Sequence, residues 1–248
     1  MVDFICAEFF MKLTWLTQSG YLLEEDGFRL VIDPYLSDAA ITKGATRIVP
    51  APMNAQDLAP DALLCTHCHV DHWDPIGAPE ILRTHPTTSL IAPSSVRPLA
   101  LAEGVAKERI LPLDVGMEIQ AGPFQITALP TIHSDPHGIG FLIRCGAASI
   151  YHSGDTEYST ALAKDLRSRI AALTPQVSVA LLCINGRLGN QTWQEAALIA
   201  ELLNPSLVIP HHYDLFLENQ QAPSPFLERC AQLGLSARTL VAGVPEEI

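Results

Sequence analysis

The 248-residue sequence has no apolar run long enough to cross a bilayer, which argues against a membrane-spanning protein. It is also short of positive charge. Fifteen Lys and Arg stand against 27 Asp and Glu, a formal net charge of −12, and no basic cluster occurs anywhere. A surface that tracks phosphates needs grouped Lys and Arg, so nucleic acid is not an expected partner. Cysteine is sparse: Cys6, Cys65, Cys68, Cys145, Cys183 and Cys230 are scattered, several inside apolar runs. That pattern fits reduced core thiols rather than a disulfide framework. A basic leader is missing too. Residues 1–10 are apolar but carry Asp3 and Glu8, a poor signal peptide, while Met11-Lys12-Leu13-Thr14-Trp15 reads as the start of a first strand. Residues 1–10 are therefore expected to be an extension or an alternative start, and the cytoplasm is the default compartment. What the chain does have is apolar content, 48%, enough to bury a sizeable core in one domain over residues 1–248.

Its densest chemistry lies in Thr66-His67-Cys68-His69-Val70-Asp71-His72-Trp73-Asp74-Pro75, where three imidazoles and a carboxylate fall within six residues. Imidazole nitrogens and carboxylate oxygens are the ligands that zinc, manganese and iron accept. The stretch follows the apolar run Ala62-Leu63-Leu64-Cys65, which reads as a buried strand. In a tight turn after that strand, His67 and His69 can point one way and Asp71 and His72 another, a geometry that suits two neighbouring metals. A histidine-rich surface loop is the plain alternative. Cys65-Thr66-His67-Cys68-His69 also matches the pattern of covalent haem attachment, but haem would leave Asp71 and His72 without a role. A structural zinc site on Cys65 and Cys68 lacks a second thiol or histidine pair at similar spacing.

The remaining elements follow from periodicity and punctuation. Strands are expected at 12–17, 21–25, 28–33, 62–65, 89–92, 110–113, 117–120, 124–129, 140–145, 148–152, 177–184, 207–209 and 238–241. Helices are expected at 74–84, with Asp74 as cap and Pro75 in the first turn, and at 94–103, 158–173, 192–203 and 225–233. Thr192 with Glu195 three residues on forms a capping box. Meander strands come first and strand–helix units later, the pattern of a mixed α/β sandwich with helices outside. Residues 36–60 read as a long irregular connection that could wall a site. Apolar strands end repeatedly at polar residues: Asp33, His67, His133, Asp155, Asn185 and His212. Strands packed in sheets bring such ends to a common edge. Locally, Asp33-Pro34 is equally readable as a turn pair, and His211 and His212 must point to opposite faces.

With Asp33, the His67–His72 motif, His133, Asp155 and His212 in this order, the chain resembles the metallo-β-lactamase superfamily. The resemblance implies a four-layer αβ/βα sandwich with metals at one sheet edge. It implies that His67, His69 and His133 hold one metal and Asp71, His72 and His212 a second. Asp155 would bridge them, and Asp33 would orient the histidine loop. Trp15-Leu16-x-Gln18-x-Gly20, Asp33-Pro34-Tyr35-Leu36-Ser37, Asp71-His72-Trp73-Asp74-Pro75, Ile150-Tyr151-His152 and Ile209-Pro210-His211-His212-Tyr213-Asp214 look like the L-ascorbate-6-phosphate lactonase branch. Those lactonases are cytoplasmic, manganese-using and oligomeric.

The resemblance thus implies a hydrolase with two divalent ions, Zn2+ or Mn2+, acting on a small anionic lactone such as a sugar-phosphate lactone, in a possible homo-oligomer. Asp71 and Asp155 are the expected catalytic carboxylates, and Asn185, Arg187, Tyr35 and His137 are candidates for holding the substrate. His152 is expected to play a structural part. A phosphodiesterase of the same fold is the main rival. A non-catalytic metal-binding or redox module would need one metal position lost, or a di-iron site with a flavin partner; all ligand positions are present and no flavin domain is visible.

Overall fold

The structure, a computed structural model, describes residues 11–248; the expectation for residues 1–10 lies outside them. Two mixed sheets form its centre. The first takes β1 (Lys12–Trp15), β2 (Tyr21–Glu25), β3 (Phe28–Ile32), β4 (Ala62–Leu64), β5 (Ser89–Ala92) and β6 (Ile110–Pro112) in sequence order, with a last strand added beside β1. The second contains β7 (Glu118–Ala121), β8 (Phe124–Pro130), β9 (Ile139–Cys145), β10 (Ala148–His152), β11 (Val179–Cys183) and β12 (Leu207–His211), again with sequence neighbours paired. The early strands of each sheet are antiparallel hairpins, and the later ones run parallel through helical crossovers. Those crossovers are α1 (Gly77–Thr84), α2 (Arg97–Ala102), α3 (Thr160–Leu173) and α4 (Trp193–Leu203); α5 (Ser224–Gln232) follows β12.

Alternation along the strands decides the layering. Leu13, Leu23, Leu30, Ile32 and Leu64 of the first sheet meet Ile126, Phe141, Ile143, Ile150 and Leu181 of the second in one buried core. The intervening residues face outward: Leu63 and Leu90 pack with Ile81 and Leu82 of α1. On the other side, Ala180 and Leu182 pack with α3, α4 and α5 through Leu166, Ala197 and Phe226. A strand buried on both faces reads as a continuous apolar run, and β11 is all buried. The result is helix, sheet, sheet, helix: the four-layer sandwich.

The local signals fared unevenly. Thr192 caps α4, its hydroxyl accepting from Glu195 N at 3.3 Å while Glu195 returns a carboxylate to Thr192 N at 2.8 Å. The helix expected at 158–173 starts at Thr160, and Ser159 caps it, its hydroxyl accepting from Leu162 N. The helix expected from Asp74 starts three residues later at Gly77. Asp74 is fully buried and accepts from Leu36 N, Ser37 N, Ser37 Oγ and Ile76 N, so it ties two loops together instead of capping α1. The strand expected at 238–241 is absent. Ala237 makes a single bridge to Val208, and the closing strand is β13 (Pro245–Glu247), paired antiparallel with β1. A short polar edge strand carries no apolar alternation to announce it.

Cys65, Cys68, Cys145, Cys183 and Cys230 are free thiols, and no helix among the described residues is long and apolar enough to cross a membrane.

Candidate metal centre

Five strand ends converge at one edge of the sandwich. Asp33 follows β3, His67 follows β4, Asp155 follows β10, and His212 follows β12; His133 lies just beyond β8. The turn that aims Asp155 needs glycine before it. Gly154 has φ +58°, and a Cβ there would lie 2.7 Å from Ile139 O. Asp33 and His212 adopt positive φ themselves, +42° and +60°, backbone strain of the kind found where side chains must be held in one place.

The structure brings His67, His69 and His133 together as one trio, Asp71, His72 and His212 as another, and sets Asp155 against His67 and His72. In the first trio, His67 Nε2 and His133 Nε2 each stand 3.0 Å from His69 Nδ1. The opposite nitrogens fix the tautomers. His133 Nδ1 donates to Gly189 O at 2.9 Å. Thr66 Oγ gives its proton to Asp33 and so accepts from His67 Nδ1 at 2.9 Å. Both Nε2 atoms therefore present lone pairs to His69 Nδ1, which can carry at most one proton between them. Burial, reinforced by the neighbouring His72, holds His67 well below the usual imidazole range, so it stays neutral. Nitrogens gathered this closely offer a metal ion three ligand atoms.

The second trio makes the same point through unsatisfied atoms. His72 Nδ1 donates to Asp33 Oδ2 at 2.6 Å, leaving Nε2 buried without a hydrogen-bond partner. Asp155 Oδ1, also without one, lies 3.4 Å away. Asp155 Oδ2 lies 3.1 Å from His212 Nε2 and 3.9 Å from His133 Nε2, so the carboxylate touches both trios. Asp71 Oδ2 is 3.4 Å from His212 Nε2. Burial works against charge on His212, but Asp155 and Asp71 outweigh it and push its pKa up to about 9. His72 is raised in the same way, against burial, by Asp155, Asp33 and Asp71. Burial likewise opposes ionisation of Asp71 and Asp155, and the two histidines reverse it, so both carboxyls sit well below the carboxylate range. Nitrogen and carboxylate donors in two adjoining sets fit a pair of divalent ions.

The profile of the beta-lactamase superfamily domain matches residues 28–213, which spans the sheet edge and every residue of both trios. This chain belongs to the metallo-β-lactamase superfamily. Within the superfamily it is 30% identical over 232 residues to a UPF0173 metal-dependent hydrolase of Pyrobaculum islandicum, covering 88% of this chain and 91% of that protein. A UPF0173 metal-dependent hydrolase of Methanopyrus kandleri is 29% identical over 242 residues, 93% of this chain and 96% of that one. Among solved structures, Igni18, a metallo hydrolase of Ignicoccus hospitalis, superimposes with a TM-score of 0.77 at 23% identity, covering 96% of this chain and 98% of that one. The fold is the metallo-β-lactamase fold.

Around the trios, four expectations meet different fates. Arg187 is exposed and lines the cavity that opens onto the cluster; its Nη1 donates to Glu218 O. Tyr35 does not reach that cavity. It is fully buried, its hydroxyl accepts from Ala40 N at 3.0 Å, and Arg47 covers its ring, so it supports the 36–47 segment. Asn185 is buried as well, donating to Arg187 O and accepting from Asn190, which in turn donates to Asp155 Oδ2 at 2.8 Å. It shapes the loop rather than touching the cavity. His137 turns away to Ser94 Oγ. His211 is buried between Ser19 and Ser153, and His152 binds Ser19 O and Gly154 N.

Sequence reasoning gave no role to Gln18. Its Nε2 donates to Asp71 Oδ2 at 2.7 Å and lies 3.1 Å from His212 Nε2, while its carbonyl accepts from His212 N. Thr17 and Gln18 both take positive φ, +73° and +48°, to put the amide there. Asp135, 5% exposed, was missed too: it accepts from Cys68 N at 3.0 Å and Ser95 Oγ at 2.7 Å, pinning the histidine loop to the segment before α2. Gln18→Leu removes the donor that aims Asp71 and should weaken metal binding at the Asp71 trio by about 10–100-fold. Calorimetric titration of the metal-free protein would show it as a selective loss of one binding phase.

Proposed function

We propose a metal-dependent hydrolase in which two divalent ions, Zn2+ or Mn2+, are held by His67, His69 and His133 and by Asp71, His72 and His212, with Asp155 between the sets. The observation that supports this above all is the set of facing lone pairs on His67, His69 and His133 beside the orphaned His72 Nε2 and Asp155 Oδ1. The names of the relatives, metal-dependent hydrolases, agree with it. When bound, such ions lower the pKa of a water and polarise the oxygen of the bond to be broken.

The chain's own groups then do the rest. Asp71 stays ionised, is aimed by Gln18, and can accept the proton of the attacking water. The bond proposed to break is the acyl C–O bond of a small lactone. One water is consumed, its oxygen joins the acyl carbon, and its proton passes through Asp71 to the departing ring oxygen, giving a hydroxy acid. Arg187 and Lys43, both lining the cavity, supply positive charge for an anionic end.

Metal analysis of the purified protein, with turnover assays on a sugar-phosphate lactone, γ-lactones and bis(4-nitrophenyl) phosphate, tests the proposal. About two metal ions per chain and lactone opening are expected. His69→Ala should lose at least about a hundredfold in turnover with an unchanged circular dichroism spectrum. Cleavage of the diester alone would move the reading to a phosphodiesterase, and wild-type turnover in His69→Ala would falsify the assignment.

A further inference from the structure

The cavity in front of the metal centre encloses about 940 Å³, and much of its wall is apolar: Leu188, Leu99, Val70, Trp73, Pro75 and Phe216 line it together with several alanines. Leu188 is the unusual member. It is 79% exposed, and its backbone is left-handed, φ +56°, a conformation that L-residues with large side chains avoid. Gly189, next in sequence, has φ +85°, and a Cβ there would lie 3.1 Å from His133 Nδ1, the same nitrogen that donates to Gly189 O. The loop is thus fixed against a metal-trio histidine, and it displays a leucine to water one residue away. Across the cavity, Leu99 of α2 is 39% exposed. Exposed leucines on a fixed backbone gain free energy when an apolar ligand covers them. Polar side chains line the cavity too, Lys43, Ser134, Arg187 and Asn219 among them, but the apolar surface is the larger share. Glu218, one polar lining residue, already has both carboxylate oxygens occupied by Thr46.

Resting on the hydrolase reading above, we propose that the substrate carries a medium-length alkyl chain seated on Leu188, Leu99, Val70 and Phe216, with its lactone or ester carbonyl over the histidine cluster. The non-reacting part of the substrate is then largely hydrocarbon, and Arg187 and Lys43 of the same lining are left for its polar end. Specificity follows from chain length, because each methylene taken out of water is worth about fourfold in affinity.

The test compares γ-butyrolactone with γ-decanolactone, which differ by a hexyl chain, using the metal-loaded protein. A kcat/KM ratio favouring the longer lactone by on the order of a hundredfold is expected, since the chain would be part-buried. Leu188→Ser and Leu99→Ser should each reduce that ratio several-fold. Equal efficiency on the two lactones, or preference for the shorter, overturns the proposal and leaves the hydrolase reading standing. If neither lactone is opened, the lactone reading fails, and calorimetry with decanoate and butyrate decides the chain seat alone. Tighter decanoate binding, weakened by Leu188→Ser, upholds the seat; indistinguishable binding of the two acids removes it.

Discussion

Asp155→Asn is expected to abolish turnover, by well over the hundredfold that loss of an outer partner can cost, while the sandwich stays folded. The substitution keeps the shape of the side chain and the acceptor that Asn190 approaches at 2.8 Å. What it removes is charge at a position that reaches both trios, 3.1 Å from His212 Nε2 and 3.9 Å from His133 Nε2. Two consequences should appear together. The variant should bind fewer metal ions, because an amide oxygen is a weaker and neutral donor. In the metal-free form His212 should titrate below its raised value of about 9, because the largest force lifting it is gone. Metal counting and NMR titration of the imidazole read the two effects separately. A variant with unaltered metal content and an unaltered His212 titration would show that Asp155 does not join the sites.

Much of this arrangement was legible in the sequence, and the parts that were not share a physical cause. Apolar strands that stop at Asp33, His67, Asp155 and His212 announce both the sheets and the edge where their ends collect. The His67–His72 spacing announces a turn full of donors, and Thr192 with Glu195 announces a helix start that is there. These are local signals, carried by residues close in sequence. Tyr35 and Asn185 misled because their polar tips suit either a ligand or a loop, and only the fold tells which. Tyr35 spends its hydroxyl on Ala40 N and Asn185 its amide on Arg187 O and Asn190. Asp135 was missed, and Gln18, seen only as part of a motif, was given no role, for the converse reason. Each acts on residues far along the chain, Gln18 on Asp71 and His212, Asp135 on Cys68 and Ser95. Gln18 also depends on two non-glycine residues in left-handed backbone, a conformation that no residue type at 17 or 18 advertises. Of the four residues expected to hold the substrate, Asn185, Arg187, Tyr35 and His137, only Arg187 lines the cavity, and the leucines there gain meaning only once the loops are placed.

Stripping the metals should show the second large effect, and its pH dependence can be derived. With ligand at a thousand times its dissociation constant, binding stabilises the folded state by about 4 kcal/mol, so chelation should lower the melting temperature by about 10 °C. Turnover should vanish with it and return on adding Zn2+ or Mn2+. In the metal-free protein His212, with a pKa near 9, is protonated at pH 7.5, and Asp155, Asp33 and Asp71 raise His72 in the same direction. A metal ligand must offer a lone pair, so loading at pH 7.5 should expel at least the His212 proton, measurable by calorimetry in buffers of different ionisation enthalpy. His67 adds none, since burial already keeps it neutral. While the His212 proton must leave, affinity should climb by about tenfold or more per pH unit and level off above pH 9.

The stability of the chelated protein should run the other way with pH. Its raised histidines stabilise the fold fully below the unfolded imidazole value of about 6.5, and that contribution disappears as pH rises through about 9. Its depressed Asp71 and Asp155 contribute fully above the unfolded carboxyl value of about 4 and lose their contribution as pH falls below it. Below about pH 6.5 the contributions of the buried, neutral His67, His152 and His211 are lost in turn. The metal-free protein should therefore be most stable near that pH, while the metal-loaded one binds its ions more tightly as pH rises. Melting curves of both forms across pH 5–9 should converge at the acidic end and part at the alkaline end. Parallel curves would mean that the raised histidines of the Asp71 trio, His72 and His212, do not exchange protons for metal.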